Sequence, residues 1–359
     1  DPAAAEDPSN ASNLPKVEVD KKRVFKNDRK DFKAGENPEF DIDLSGAAEK
    51  KVLKAEVSYA GAVKPTEEIK TEVQENGDGT AKITVQKPER SFREGRYTLA
   101  VEMLSKDGAQ VLTTKQDFTW GVLAINVNKS IYAPEEKAQL AIGVLDENGG
   151  MVCDAKVNLD ITNPNGNTKT LSTGGGEIKV NLDVCQSHQL TLEPDYEASY
   201  AIGKAGTYIM NLTAETKNGT YSISDKFEVQ ENAAFDVERV SPTRIYPVNT
   251  NPVTINIIAN RDFSGEVQEP VPAVFDITKG DEKNYTAYGA EETTGNTKIL
   301  TWKVSLKKGE KISLGYEYKP PIVSPEFYLL GPLQFSEKNS IIFQEARQWE
   351  VASDAVITT

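Results

Sequence analysis

Two stretches of the chain repeat one another. Arg93-Glu94-Gly95-Arg96-Tyr97-Thr98-Leu99-Ala100-Val101 matches Lys204-Ala205-Gly206-Thr207-Tyr208-Ile209-Met210-Asn211-Leu212. Thirteen residues after Gly95 and Gly206 stand two further turn glycines, Gly108 and Gly219, and a hairpin return comes after each, ending at Phe118 and Phe227. A hairpin that recurs after about 110 residues marks two domains of one design, because that is the usual length of a β-sandwich domain. The first copy also has an early strand led by Lys33-Ala34-Gly35-Glu36.

Short strands with period-two alternation and tight turns account for the rest. In the first copy they fall at 40–44, 52–59, 81–85, 97–104 and 111–120. In the second, 139–145 is closed by Asp146-Glu147-Asn148-Gly149, and 157–161 by Asn163-Pro164-Asn165-Gly166. After Glu231 the pattern changes. Arg244-Ile245-Tyr246-Pro247 echoes Ile131-Tyr132, and the clearest alternating strands are 301–306 and 312–318, joined by Lys307-Lys308-Gly309-Glu310. Closing strands are expected around 328–333 and 346–351, after the stop at Pro320-Pro321. Almost no segment has helical period and caps, so the fold class is all-β, tandem Ig/fibronectin-like sandwiches. The expected organisation is an extended tail at 1–16 and sandwiches at 17–121, 122–232 and 233–359. The link Trp120-Gly121-Val122-Leu123-Ala124 has no Pro/Ser spacer, which predicts stiff junctions.

Residues 122–232 resemble the macroglobulin-like MG2 domain, the fibronectin-like sandwich of the α2-macroglobulin family. The family's K-x-I-Y-x-P-G-E element is matched by Lys129-Ser130-Ile131-Tyr132-Ala133-Pro134-Glu135-Glu136. Its V-L-D-E-N-G hairpin, its N-P-x-G-N turn at 163–167 and its G-x-Y strand at Gly206-Thr207-Tyr208 come in the same order. Glu135 stands where the family has glycine, so this turn is expected to manage without a residue free to take positive φ. The resemblance covers about a third of the chain and implies a scaffold, not an activity. The family's C-G-E-Q thioester has no counterpart: Cys153 is followed by Asp-Ala-Lys and Cys185 by Gln-Ser-His.

Cys153 and Cys185 are the only cysteines, both inside the MG2-like unit, Cys185 just after an alternating strand at 178–184. In an extracellular protein such a pair reads as a disulfide, the other reading being two separate buried thiols. Asp1 with the Pro/Ala/Asn-rich 1–16 reads as the new N-terminus left by a cleaved secretory signal, or equally as the cut edge of a longer protein. A net charge of −14 over 359 residues argues against nucleic acid and anionic membranes as partners. No apolar run approaches the roughly 20 residues that span a bilayer.

Catalysis finds little to build on. The single histidine, His188, lies three residues after Cys185, a spacing that rarely joins sulfur and imidazole in extended chain. One histidine and no C-x-x-C leave nothing for zinc, and no phosphate-binding glycine motif is present. The best calcium candidate is Glu75, Asn76 and Asp78 in Glu75-Asn76-Gly77-Asp78-Gly79, for which a plain hairpin turn is the favoured reading. N-x-[ST] sequons start at Asn10, Asn128, Asn211, Asn218 and Asn284.

Three functions fit these observations. The first is a non-enzymatic extracellular structural or adhesive protein, part of a secreted or cell-surface layer, filament or stalk, with no cofactor. The second is a fragment of a protease-trapping macroglobulin. The third is a glycan- or protein-binding module using Trp302, Trp349, Tyr316 and Tyr318 as a stacking platform, although alternation puts both tyrosines on the core face. The expected partners are neighbouring surface proteins or further copies of the chain. Val17-Glu18-Val19 is the candidate strand donor to the third domain of another copy, against a tail lying over its own first domain.

Overall fold

The computed structural model describes residues 14–353 apart from 27–28, 34–35, 46–50, 60–68, 88–94, 147–149, 186–192, 281–282, 296, 323–325 and 339. Its architecture is all-β, a series of Ig-like sandwiches. Contacts divide the chain into two compact units, the first made up of most of residues 1–120 and the second of residues 121–359 together with the short segments 33–35 and 89–94.

In the first unit one sheet runs in the order Lys16–Glu18, Val111–Trp120, Gly95–Leu104, Lys51–Tyr59, and the facing sheet joins Glu39–Asp43, Thr80–Gln86 and Lys70–Asn76. Alternation turns Tyr97, Leu99, Val101 and Met103 into the core, where Phe32, Phe40 and Phe118 pack edge to face or tilted. Lys16–Glu18 lies parallel to Val111–Trp120 of the same chain, with Val17 opposite Leu112, and the Val19 amide donates to the Thr113 carbonyl at 2.9 Å. This corrects the donor-strand expectation for Val17, Glu18 and Val19. Their segment completes its own sheet, an intramolecular pairing that closes a loop without the entropy loss of association. The tail at 1–13 lies outside the described residues.

The second unit contains two hydrophobic cores. The one built from residues 122–229, here the proximal sandwich, has one sheet of Ile131–Tyr132, Gly219–Val229, Gly206–Thr216, Lys156–Thr162 and Thr168–Ser172. Against it stands a sheet of Lys179–Val180, Tyr196–Ala201, Lys137–Val144 and Leu123–Val127. Cys153 and Cys185 form a disulfide, Cα to Cα 5.9 Å. The expected strand over 178–184 is shorter: Lys179–Val180 pairs, and Leu182–Cys185 is a single helical turn.

The distal sandwich, 235–353, has a sheet around Phe235–Val240, Asn251–Ala259 and Lys311–Lys319. A second sheet is ordered Ala290–Thr294, Thr297–Leu306, Phe263–Pro272, Gln334–Glu337, Ser340–Gln344, and a third small sheet joins Arg244–Ile245, Trp349–Ser353 and Glu326–Leu330. The hairpin between 334 and 344 has no counterpart among the expected strands, its own strands being short and partly polar. Trp302, Trp349, Tyr316 and Tyr318 are buried in this core, so the stacking-platform reading is corrected: their faces are taken up by packing.

The repeat is borne in three dimensions. Tyr97 lies opposite Phe118 and Tyr208 opposite Phe227, each pair stacked with centroids 5.7 and 4.9 Å apart. Gly95 and Gly206 take φ of 131° and 134°; a Cβ on Gly206 would meet Pro164 at 2.5 Å. A leading two-residue strand also recurs three times, each parallel to the last strand of its own sandwich: Phe32 faces Trp120, Tyr132 faces Val229, and Ile245 faces Ser353. Glu135 does enter the left-handed region, at φ 69°. As the sequence implied, no residue free to take positive φ stands there, and the turn keeps glycine's geometry with a residue that resists it.

Candidate functional site

Where the two sandwiches of the second unit meet, one short segment supplies most of the bonds. Leu123–Val127 is buried throughout, and residues 125–131 reach across as a strap. Asn126, 1% exposed, donates from Nδ2 to the Glu350 carbonyl at 2.9 Å and accepts from the Glu350 amide at 3.0 Å. Its carboxamide thus stands in for a peptide group of a neighbouring strand. Arg347 donates from Nη2 to the Ile125 carbonyl and to Asn126 Oδ1, and is 3.0 Å from the Asp225 carboxylate.

Asn128 continues the strap. Its carbonyl accepts from the Arg239 amide at 2.9 Å, and its Nδ2 donates to Glu238 at 2.9 Å. Its Oδ1 accepts from the Tyr132 hydroxyl and the Gln139 amide. Lys129 bridges Glu136 at 2.6 Å and Asp236 at 2.8 Å. Burial works against its charge, but those two carboxylates hold the ammonium above its usual range. Ser130 Oγ accepts from the Ala346 amide at 3.0 Å, and Ile131 is buried in the distal core. On the other flank Arg244 donates Nε to Asp195 at 3.1 Å and Nη2 to the Val184 carbonyl at 2.6 Å. Burial pushes the Glu350 carboxyl above its ordinary value.

Arg239 carries the joint inward. Beyond its amide bond to the strap, its guanidinium takes Glu269 through two bonds, 2.6 and 3.1 Å, and Glu345 through one of 2.8 Å. The Tyr316 hydroxyl donates to Glu269 at 3.2 Å and the Leu333 amide to Glu345 at 2.8 Å. All three charged groups are buried, and burial raises the Glu269 carboxyl, one buried cation facing two carboxylates.

A cleft of about 430 Å³ opens beside the joint, lined among others by Lys137, Gln139, Glu197, Glu238 and Trp349. A second, of about 550 Å³, is lined by Ile131, Gln230, Asp236, Asn260 and Arg261 among others. Both present mixed charges and amides, and neither lining contains a histidine or cysteine. Charge-assisted bonds and an inserted isoleucine join the two sandwiches here.

The sequence-predicted site residues lie elsewhere. Glu75 accepts from the Val52 amide at 2.8 Å, and Asn76 donates to the Thr80 hydroxyl at 2.9 Å. Asp78 accepts from the Thr80 amide and hydroxyl at 3.0 and 2.6 Å, and that hydroxyl bond lowers its carboxyl pKa. These oxygens turn to separate partners around a hairpin. No group of three or more His, Cys, Asp or Glu suited to a metal occurs among the described residues. His188 and Asn10 fall outside them. Asn128 is held within the joint, whereas Asn218 sits in the exposed turn before Gly219. Sequence reasoning missed Asn126, Arg239, Arg244, Arg347 and Glu350. One signal was available: Arg239 continues the inward phase of Phe235 and Val237, and Glu269 that of Val267 and Val271.

Comparison with protein-family models finds no match, and comparison with curated proteins finds none either. Among solved structures, trypsin-activated α-2-macroglobulin from Escherichia coli aligns over 92% of this chain and 24% of its own, with 12% identity and a TM-score of 0.24. The FN1–FN3 domains of chicken CNTN1 align over 92% of this chain and 97% of theirs, with 7% identity and a TM-score of 0.21. The Escherichia coli adhesin FdeC aligns over 91% and 95%, with 12% identity and a TM-score of 0.20. This chain thus spans about a quarter of the macroglobulin. At these TM-scores the likenesses carry no argument about function.

Proposed function

We propose that the chain is a non-enzymatic structural or adhesive segment, secreted or held at the cell surface, whose role is to keep β-sandwiches at a fixed spacing and orientation. One observation carries this reading: the strap 125–131, which places Asn126, Asn128, Lys129, Ser130 and Ile131 in bonds or packing with the distal sandwich. A flexible linker would be the cheaper solution for a chain that only tethers two domains. No helix among the described residues is long and apolar enough to cross a membrane; the partners this reading expects are neighbouring surface proteins or further copies of the chain. The kinship of 122–232 with MG2 belongs to the same reading. It is supported by Lys129, Tyr132 and Glu136 of the shared element acting together, with Glu136 bonded to Lys129 and to the Ala133 amide.

Negative-stain microscopy of the native material, with protease digestion of intact cells, tests the proposal. Stiff rods or sheets removed by external protease are the expected result. A protein that survives on intact cells and is released only by lysis sinks it.

A further inference from the structure

The disulfide of the proximal sandwich and the joint share one short segment. Leu182–Cys185 is a single helical turn, too short to hold itself, since helix nucleation is unfavourable and only a few bonds come after it. Its local bonds are the Cys185 amide to the Asn181 carbonyl at 2.8 Å and a 3.4 Å contact from the Val184 amide to Asn181 Oδ1. Two longer-range ties fix it. Cys185, itself buried, is bonded to Cys153, and the Val184 carbonyl accepts from Arg244 Nη2. Asn181 donates its amide to the Asp195 carbonyl, and the Asp195 carboxylate takes Arg244 Nε. Arg244 therefore sits in a cradle of Val184 and Asp195 whose Val184 side is anchored by the disulfide.

Arg244 begins the distal sandwich's leading strand. It lies opposite Ala352, with Ile245 opposite Ser353, and the Ala352 amide donates to the Thr243 carbonyl at 2.8 Å. The strand pairs over two residues and buries Ile245 in the distal core, and the buried guanidinium at its first position ties it to the proximal sandwich.

We propose that Cys153–Cys185 is a redox-sensitive brace of the joint. Reduction frees the 182–185 turn, withdraws the Val184 carbonyl from Arg244 and loosens the leading strand, while the proximal core stays folded. The reductant is a dithiol. One of its thiolates attacks a disulfide sulfur and expels the other cysteine as thiolate; its second thiol resolves the mixed disulfide. The dithiol leaves as a disulfide, and Cys153 and Cys185 gain two electrons and two protons.

Hydrogen exchange read by mass spectrometry on the full chain, with and without dithiothreitol, tests this. After reduction, amides around 352 and 245 should exchange at least about tenfold faster, while those of Gly206–Thr216 and Gly219–Val229 keep their protection. Arg244→Met in the oxidised protein should accelerate exchange around 352 at least as much, since it removes the Asp195 pair along with the Val184 bond. Reduction of that variant should then add less than about threefold, because the substitution has already removed the Val184 bond that reduction releases. The inference is overturned if reduction speeds only residues 181–185. It is equally overturned if the whole proximal sandwich loses protection together, or if reduction and Arg244→Met multiply as independent effects. Should Arg244→Met fail to fold, the reduction arm alone still decides.

Discussion

The two sandwiches of the second unit secure themselves by opposite means. The proximal core is apolar from Val122 to Val229, and its fixed point is a covalent tie at its margin, Cys153 to Cys185. The distal core has no disulfide and instead encloses Arg239, Glu269 and Glu345. A disulfide acts chiefly by restricting the unfolded chain and asks little of the packing around it. A buried ionic group acts in the folded state and tolerates only one arrangement, since each charge must find its partners. The proximal sandwich is thus tied, and the distal one keyed. The difference also sets where damage spreads: a lost key exposes charge in the core, a lost tie frees a segment at the edge.

Removing the key should have the largest effect. Arg239→Met leaves two buried carboxylates without their cation and should destabilise the distal sandwich by about 3–5 kcal/mol, read from its transition in urea. Replacing Arg239, Glu269 and Glu345 together by apolar residues should recover most of that loss. If the triple variant is as unstable as the single one, the network is not a self-contained key. pH sharpens the point. Burial raises Glu269 above its ordinary 4.5, so its contribution to stability is fully present below about 4.5 and is lost as pH rises through the folded value. The Arg239→Met deficit should therefore shrink in acid.

Removing the tie comes next. Cys153→Ser with Cys185→Ser should lower proximal stability by ~3–4 kcal/mol at any pH where the fold persists, the chain-entropy value for a loop of this length. A pH-dependent loss would blur the contrast with Arg239. The strap that joins the two should respond less: Asn126→Ala strands the Glu350 amide and carbonyl, about 2 kcal/mol. Calorimetry should also show the proximal and distal sandwiches unfolding further apart in temperature than in the unaltered chain. The smallest effect has the opposite sign. Glu135→Gly relieves a left-handed backbone at φ 69° and should stabilise the proximal sandwich by up to about 1 kcal/mol in thermal melts. Tm unchanged or lowered would mean that glycine's extra freedom in the unfolded chain outweighs the strain.

Much of the strand layout was legible because period-two alternation is a local signal: the strand predicted at 111–120 is observed at Val111–Trp120. The 334–344 hairpin was not, as Gln334–Glu337 and Ser340–Gln344 carry few inward residues each. The joint was the hardest to see. Lys129-Ser130-Ile131-Tyr132 reads as a family signature, yet alternation says only that Ile131 and Tyr132 need cover. It does not say that Tyr132 finds it in the proximal core and Ile131 in the distal one.

By itself the sequence determined the all-β class, the repeated hairpin with its paired glycines, and the reading of the two cysteines as a bond. Each rests on short-range rules, the alternation of a strand, the φ a turn requires and the chemistry of a thiol pair. Only the tertiary structure decided that Val17 pairs within its own sheet, that Arg239 holds two carboxylates, and that Asn126 meets Glu350 across 224 positions. Those choices depend on which surfaces meet once strands have formed. A buried polar group is stable only beside partners that the local sequence does not name.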